Sequence, residues 1–165
     1  MSTRSSTNVR DLYFEFKELT PIVGEPEFDG LHQMLLEIKA NLSSVPSTLG
    51  GGAHGYAGII LSAPTYANLA PGTPFLTPAH PGPLNIPIRA TQFEIALAKS
   101  QHEEALKNFS EYQLVQRAII QQVLQAIESK FVTRLRNRVS GQVPNDIIQL
   151  MMSLFQIYGR ILPTT

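Results

Sequence analysis

A stretch of chain from residue 88 to 140 contains neither proline nor glycine, and it directly follows the stretch richest in both. Gly50, Gly51, Gly52, Gly55 and Gly58 precede it, and seven of the twelve prolines lie between Pro64 and Pro87. Each interior proline costs a helix about 3 kcal/mol and each glycine about 1. Residues 49–90 are therefore barred from a long helix, whereas the residues behind them are free to form one. Thr91 and Glu94 make a capping box at its start. Phe93, Leu97, Leu106, Phe109, Tyr112, Val115, Ile119, Val123 and Ile127 continue one apolar stripe from there. The pattern predicts a helix over 91–128, about 55 Å long at 1.5 Å per residue.

The remaining elements follow the same logic. Asp29 is placed to cap a helix over 30–43, which carries Leu31, Met34, Leu35, Ile38 and Leu42 and stops before Val45-Pro46. Ser62, with Pro64 in the first turn, starts a short helix over 63–70 with Tyr66 and Leu69 facing inward. Ser129 is placed to cap a helix over 130–138. Pro144-Asn145-Asp146 opens a last helix over 145–158 whose apolar residues nearly encircle it, with Gly159 as its stop. Residues 10–19 alternate weakly, as a strand or an ordered arm does. The expected fold is all-α, with four or five helices and a long ordered Gly/Pro-rich loop at 49–90. Ile59, Ile60, Leu61, Tyr66, Leu69, Phe75, Leu76, Leu84, Ile86 and Ile88 make that loop too apolar for a solvated tether. The expected division is an N-terminal arm over 1–27, partly ordered, and one helical domain over 28–162.

Several classes of chemistry find no residues to carry them. The chain has no cysteine, so disulfides, thiolate metal sites and a cysteine nucleophile are absent. The histidines His32, His54, His80 and His102 never fall three or four apart, the spacing a helical zinc site uses. Gly50 to Gly55 satisfy G-x-G-x-x-G letter by letter, but Ser43–Ser47 before them and Gly58-Ile59-Ile60 after them give neither the strand nor the helix start that dinucleotide binding needs. A tight backbone turn at Gly50, Gly51, Gly52, His54, Gly55 and Gly58, with a second at His80, Pro81, Gly82 and Pro83, fits these residues better. Nucleophile elbows and facing carboxylate pairs are missing as well. We expect no enzyme, no cofactor and no small-molecule substrate. No apolar run reaches the roughly 18 residues that a membrane span needs.

What stands out is distribution. Thirteen basic and thirteen acidic residues cancel, yet residues 1–50 carry four basic and seven acidic, and residues 114–165 carry six and two. On a helix over 130–138, Lys130, Arg134 and Arg138 form a stripe, Arg136 lies off it, and Arg117 and Arg160 can add to it in space. Two uses stand open beside a plain solvated face: RNA phosphate contact and a charged subunit interface. Only 16% of residues are charged, against a typical value of about 25%. The final helix is more apolar than a solvated one can be, and Met151, Met152, Phe155 and Tyr158 are its candidate contact residues.

One family shares this order of features. Leu49-Gly-Gly-Gly-x-His54-Gly-x-x-Gly58-x-x-Leu61 is followed by Tyr66, Pro74-Phe75, Pro78, His80-Pro-Gly-Pro-Leu84 and Ile86-Pro87. Phe28-Asp-Gly-Leu31 and Ile38-Lys-Ala-Asn41 precede this run. Ala118-Ile-Ile-Gln-Gln122, Ala126-Ile-Glu128, Leu135-Arg-Asn137 and Leu154-Phe-Gln-Ile-Tyr-Gly-Arg160 follow it. The series resembles the Gag region of copia-type LTR retrotransposons, in the branch met in algae and related protists, over roughly residues 13–162. The resemblance implies a capsid-type helical domain, self-assembly into cytoplasmic virus-like particles around element RNA, and a place at the front of a longer polyprotein. It does not extend to the tryptophan near the start of many plant members or to a Cys–His zinc knuckle, since the chain has neither tryptophan nor cysteine. The ending at 161–165, just past a helix stop, resembles a truncation or a decayed copy. A helical adaptor without particle assembly and a non-specific RNA-binding module are the alternative expectations.

Overall fold

The computed structural model of the chain describes residues 6–160. Those described residues are all-α, with six helices among them: α1 (Ser6–Tyr13), α2 (Phe28–Ser44), α3 (Ala63–Leu69), α4 (Gln92–Ala126), α5 (Ser129–Val132) and α6 (Ile147–Tyr158). No strand occurs among the described residues; a single parallel bridge joins Ile22 to Ile127.

The core lies where α2, the C-terminal half of α4 and α6 meet. Leu31, Met34, Ile38 and Leu42 enter it from α2, Val115, Ile119 and Val123 from α4, and Ile147, Leu150 and Leu154 from α6. These spacings of three and four keep each set on one helix face. α1 packs on α4, and Val9, Phe14 and Leu19 join the same core. The alternation over 10–19 is therefore not a strand. It is the end of α1 and an irregular, bent segment without a ladder partner.

That segment is held by side chains acting as backbone substitutes. Asn41 accepts a hydrogen bond from the Phe16 amide at 2.8 Å and donates to the Phe16 carbonyl at 3.0 Å. Gln122 donates to the Phe16 and Lys17 carbonyls, each at 3.0 Å. The Glu37 carboxylate takes the Thr20 amide at 2.9 Å and its hydroxyl at 2.7 Å. Glu37, Asn41 and Gln122 are all buried, and a buried polar group is tolerated when it is paired in this way.

Helix ends follow the sequence with some exceptions. Thr91 caps α4 by accepting from the Glu94 amide at 3.1 Å, but its hydroxyl also donates to the Glu94 carboxylate, so the glutamate answers the hydroxyl rather than the cap amide. Ser62 caps α3 through the Thr65 amide, and Asp146 caps α6 through the Ile148 amide. α2 begins earlier than expected, with Glu27 rather than Asp29 as its N-cap. Asp29 instead lies in the first turn, where its charge complements the helix dipole. Gly159 does close α6, but with φ −88. A Cβ there would meet the Phe155 side chain at 2.7 Å, so close approach rather than left-handed backbone asks for glycine.

The expected helix over 130–138 is the clearest correction. α5 gives way to a 3-10 turn over Thr133–Leu135, and Arg136 is extended. Asn137 draws the chain out of the helix: its side-chain oxygen accepts from the Val139 and Ser140 amides at 2.8 and 3.0 Å. Such local bonds compete directly with helix continuation. Ser129 begins α5 rather than capping it, Glu128 being the cap residue.

Candidate functional site

Between α2 and α3 the chain turns tightly around Gly50 to Gly58. Two 3-10 turns, Gly52–His54 and Ala57–Ile59, occupy this region, so the G-x-G-x-x-G run opens no α-helix. Gly55 has φ +50, and a Cβ there would run into the Ser43 carbonyl at 2.6 Å and also into that of Val45. Gly58 lies against the Phe75 side chain, leaving no room for a side chain of its own. Gly51 donates to the Tyr66 hydroxyl at 2.8 Å, Gly50 lies against that same hydroxyl, and the His54 ring meets Tyr66 edge-on. Tyr66 is buried, whereas Leu69, expected to face inward beside it, is exposed.

The second turn lies along α4. His80 accepts from the Gly82 amide through Nδ1 at 2.9 Å, and its ring sits edge-on to Phe109 at 5.3 Å. The Gly82 carbonyl pairs with His102 Nε2 at 2.7 Å, and Gly82 takes φ +73, flanked by Pro81 and Pro83. The four residues form a strap over the middle of the helix. Among the described residues no group of His, Asp and Glu could hold a metal ion.

That stretch of α4 is an arm. No residue of the helix N-terminal to Val115 is buried. The apolar stripe therefore changes role along its length: it is core from Val115 onward, partly covered at Tyr112 and Phe109, and open at Leu97 and Phe93, which is 76% exposed. Ile88, just before the helix, is 94% exposed, and Leu84 and Ile86 are also open.

The final helix splits its candidate contact residues in two. Met151 and Tyr158 are core, and Tyr158 donates to the Phe131 carbonyl at 2.9 Å. Met152 is 51% exposed and Phe155 is half-buried, on the flank of α6 beside α2. There Leu35, Ile60, Ile148, Met152 and Phe155 line an apolar groove. Phe28 packs edge-on against the Phe155 ring.

The basic residues are not a stripe. Lys130 lies in α5 over the Phe131 ring at 5.1 Å, Arg134 in the 3-10 turn, and Arg138 in the loop that Asn137 shapes. Arg136 donates to the Gly141 carbonyl at 2.9 Å and so buttresses that loop. Arg117 is exposed on α4, a separate element. All five are exposed. Sequence reasoning missed Glu37, Asn41, Gln116 and Gln122, because polar residues on helices read as surface. Their one signal was position, since each falls on the buried face of its helix.

Among the described residues no helix is long and apolar enough to cross a membrane. The chain matches no protein-family model, no curated protein and no solved structure.

Proposed function

We propose that this chain is a Gag-like structural protein, a helical building block that self-associates in the cytoplasm into particles able to enclose RNA. The observation that carries this reading is the apolar surface left uncovered on both body and arm. Met152 and Phe155 border an open groove, while Ile88, Phe93 and Leu97 stand on a helix that has left the core. Exposed apolar patches of this kind mark interaction sites on soluble proteins. Individually modest contacts, repeated over many copies, add up to a stable shell. The exposed cations Lys130, Arg134, Arg136 and Arg138 supply a non-specific attraction to RNA phosphates.

Light scattering of the purified chain over a concentration series, with and without RNA, tests the reading. Growth of oligomers with concentration, and particles by electron microscopy, support it. A strict monomer under all these conditions discards it. A stoichiometric complex with a different protein and no particles would make the chain an adaptor instead.

A further inference from the structure

We infer that the strap over α4 is a proton-sensitive clasp: His80 closes it only while its ring is neutral, and acid releases the Gly82 amide and uncovers Phe109. The inference does not depend on self-association.

The clasp is built around one residue. Pro81 and Pro83 have no N–H, so Gly82 holds the only amide of the three. That amide donates to His80 Nδ1 at 2.9 Å. The Gly82 carbonyl lies 2.7 Å from His102 Nε2 on α4. Gly82 takes φ +73, a conformation that suits glycine, and so presents one polar group to each ring.

The two rings have different proton requirements. A ring nitrogen that accepts from an amide carries no hydrogen, so His80 in the shut clasp is neutral, with its proton on Nε2. A carbonyl only accepts, so His102 Nε2 carries a hydrogen, which the neutral and the charged ring both supply. Acid therefore sets N–H against N–H at His80 and leaves the His102 bond intact. The shut clasp excludes one proton at His80. It is complete at high pH and weakens as pH falls through the range, about 8 to 5, in which histidines take up charge.

No counter-charge holds a charged His80 in place. His80 and Arg89 are the only ionisable residues from 71 to 90. The facing stretch of α4 carries Lys99, His102, Glu103, Glu104, Lys107 and Glu111. Among the described residues none of these carboxylates forms an ion pair with either ring. His80 is exposed, so protons reach it directly from water. Its ring sits edge-on to Phe109 at 5.3 Å, so a swing away bares Phe109 and extends the open stripe of Phe93 and Leu97 down the arm. His102 still holds Gly82, which keeps the strap on the helix and makes the opening reversible.

The test turns on His80→Asn. Its side-chain oxygen accepts from the amide two residues on, as in an Asx turn, and it does not titrate. Solvent-exchange NMR of the full chain compares protection of the Gly82 amide at about pH 7.5 and pH 5, corrected for intrinsic exchange. In the parent, protection should fall by about fivefold, the loss of one ordinary hydrogen bond, and the Phe109 ring signals should shift with it. H80N should keep the amide protected at both pH values, and His80→Ala should leave it open at both. His102→Gln keeps a donor for the carbonyl without titrating, and should preserve the parent's response. Equal protection at the two pH values in the parent overturns the inference. So does a response that survives in H80N or disappears in H102Q, since the proton would then be taken up elsewhere. Phe109 signals that hold still while the amide opens would overturn the uncovering.

Discussion

Asn41 of α2 and Gln122 of α4, 81 residues apart in the chain, meet at 2.8 Å in the core, and together they hold the backbone of Phe16 and Lys17. Two amide side chains stand in for the strand that residues 14–20 do not have.

Removing either amide should loosen the N-terminal segment before anything else. Gln122→Ala and Asn41→Ala are each expected to cost about 2–3 kcal/mol in urea unfolding, the price of buried groups left unpaired. The double variant should cost less than the two single losses combined, because the partners share one network. Hydrogen exchange separates the two. The Phe16 amide bonds to Asn41, so its protection should collapse in N41A and largely survive in Q122A.

The glycine turn makes its own contrast. Gly58→Ala pushes against the Phe75 ring, and Gly55→Ala adds a left-handed penalty of about 1–2 kcal/mol to a clash with helix carbonyls. Gly52→Ala meets nothing within 4 Å. Thermal unfolding should rank G52A near the parent and the other two well below it.

Thr91→Ala deletes the α4 cap, a loss of about 1 kcal/mol for a helix. Since no residue of the helix N-terminal to Val115 is buried, the damage should stay local. Amides in the first two turns of α4 should exchange faster, while the global unfolding midpoint barely moves.

If RNA contacts the basic residues, alanine at Lys130, Arg134, Arg136 and Arg138 should flatten the salt dependence of binding. For single strands each lost phosphate contact lowers the log–log slope by about 0.7, so the full set removes about 3. Filter binding at several salt concentrations reads this directly, and an unchanged slope would remove these residues from the RNA surface. Arg136→Ala alone should also loosen the 137–141 loop by freeing the Gly141 carbonyl.

The all-α class was legible because periodicity and breakers are local. Thr91, Ser62 and the Pro/Gly content of 49–90 each act within a few residues of themselves, and those helix starts follow. Two kinds of feature were not legible. The extent of the core depends on which stretch of a uniform stripe finds neighbours, and Phe93 and Val115 look alike until α2 and α6 are in place. The break after Leu135 depends on Asn137 choosing amides of its own loop over solvent, which a charge pattern at spacing four does not register. The same limit divided the candidate contact residues: Met151 and Met152 are adjacent in sequence but about 100° apart around α6, one turned inward and one outward.

Core and arm are one rod. Rotation at the clamped end is magnified at the tip: over a lever of roughly 30 Å, the length of twenty helical residues, a tilt of about 10° moves Phe93 by about 5 Å. In any array joined through that tip, the angle between successive members is thus decided deep inside each one, by how Val115, Ile119 and Val123 nest. Substituting a single methyl group there would alter the curvature of the whole without touching a contact between its parts.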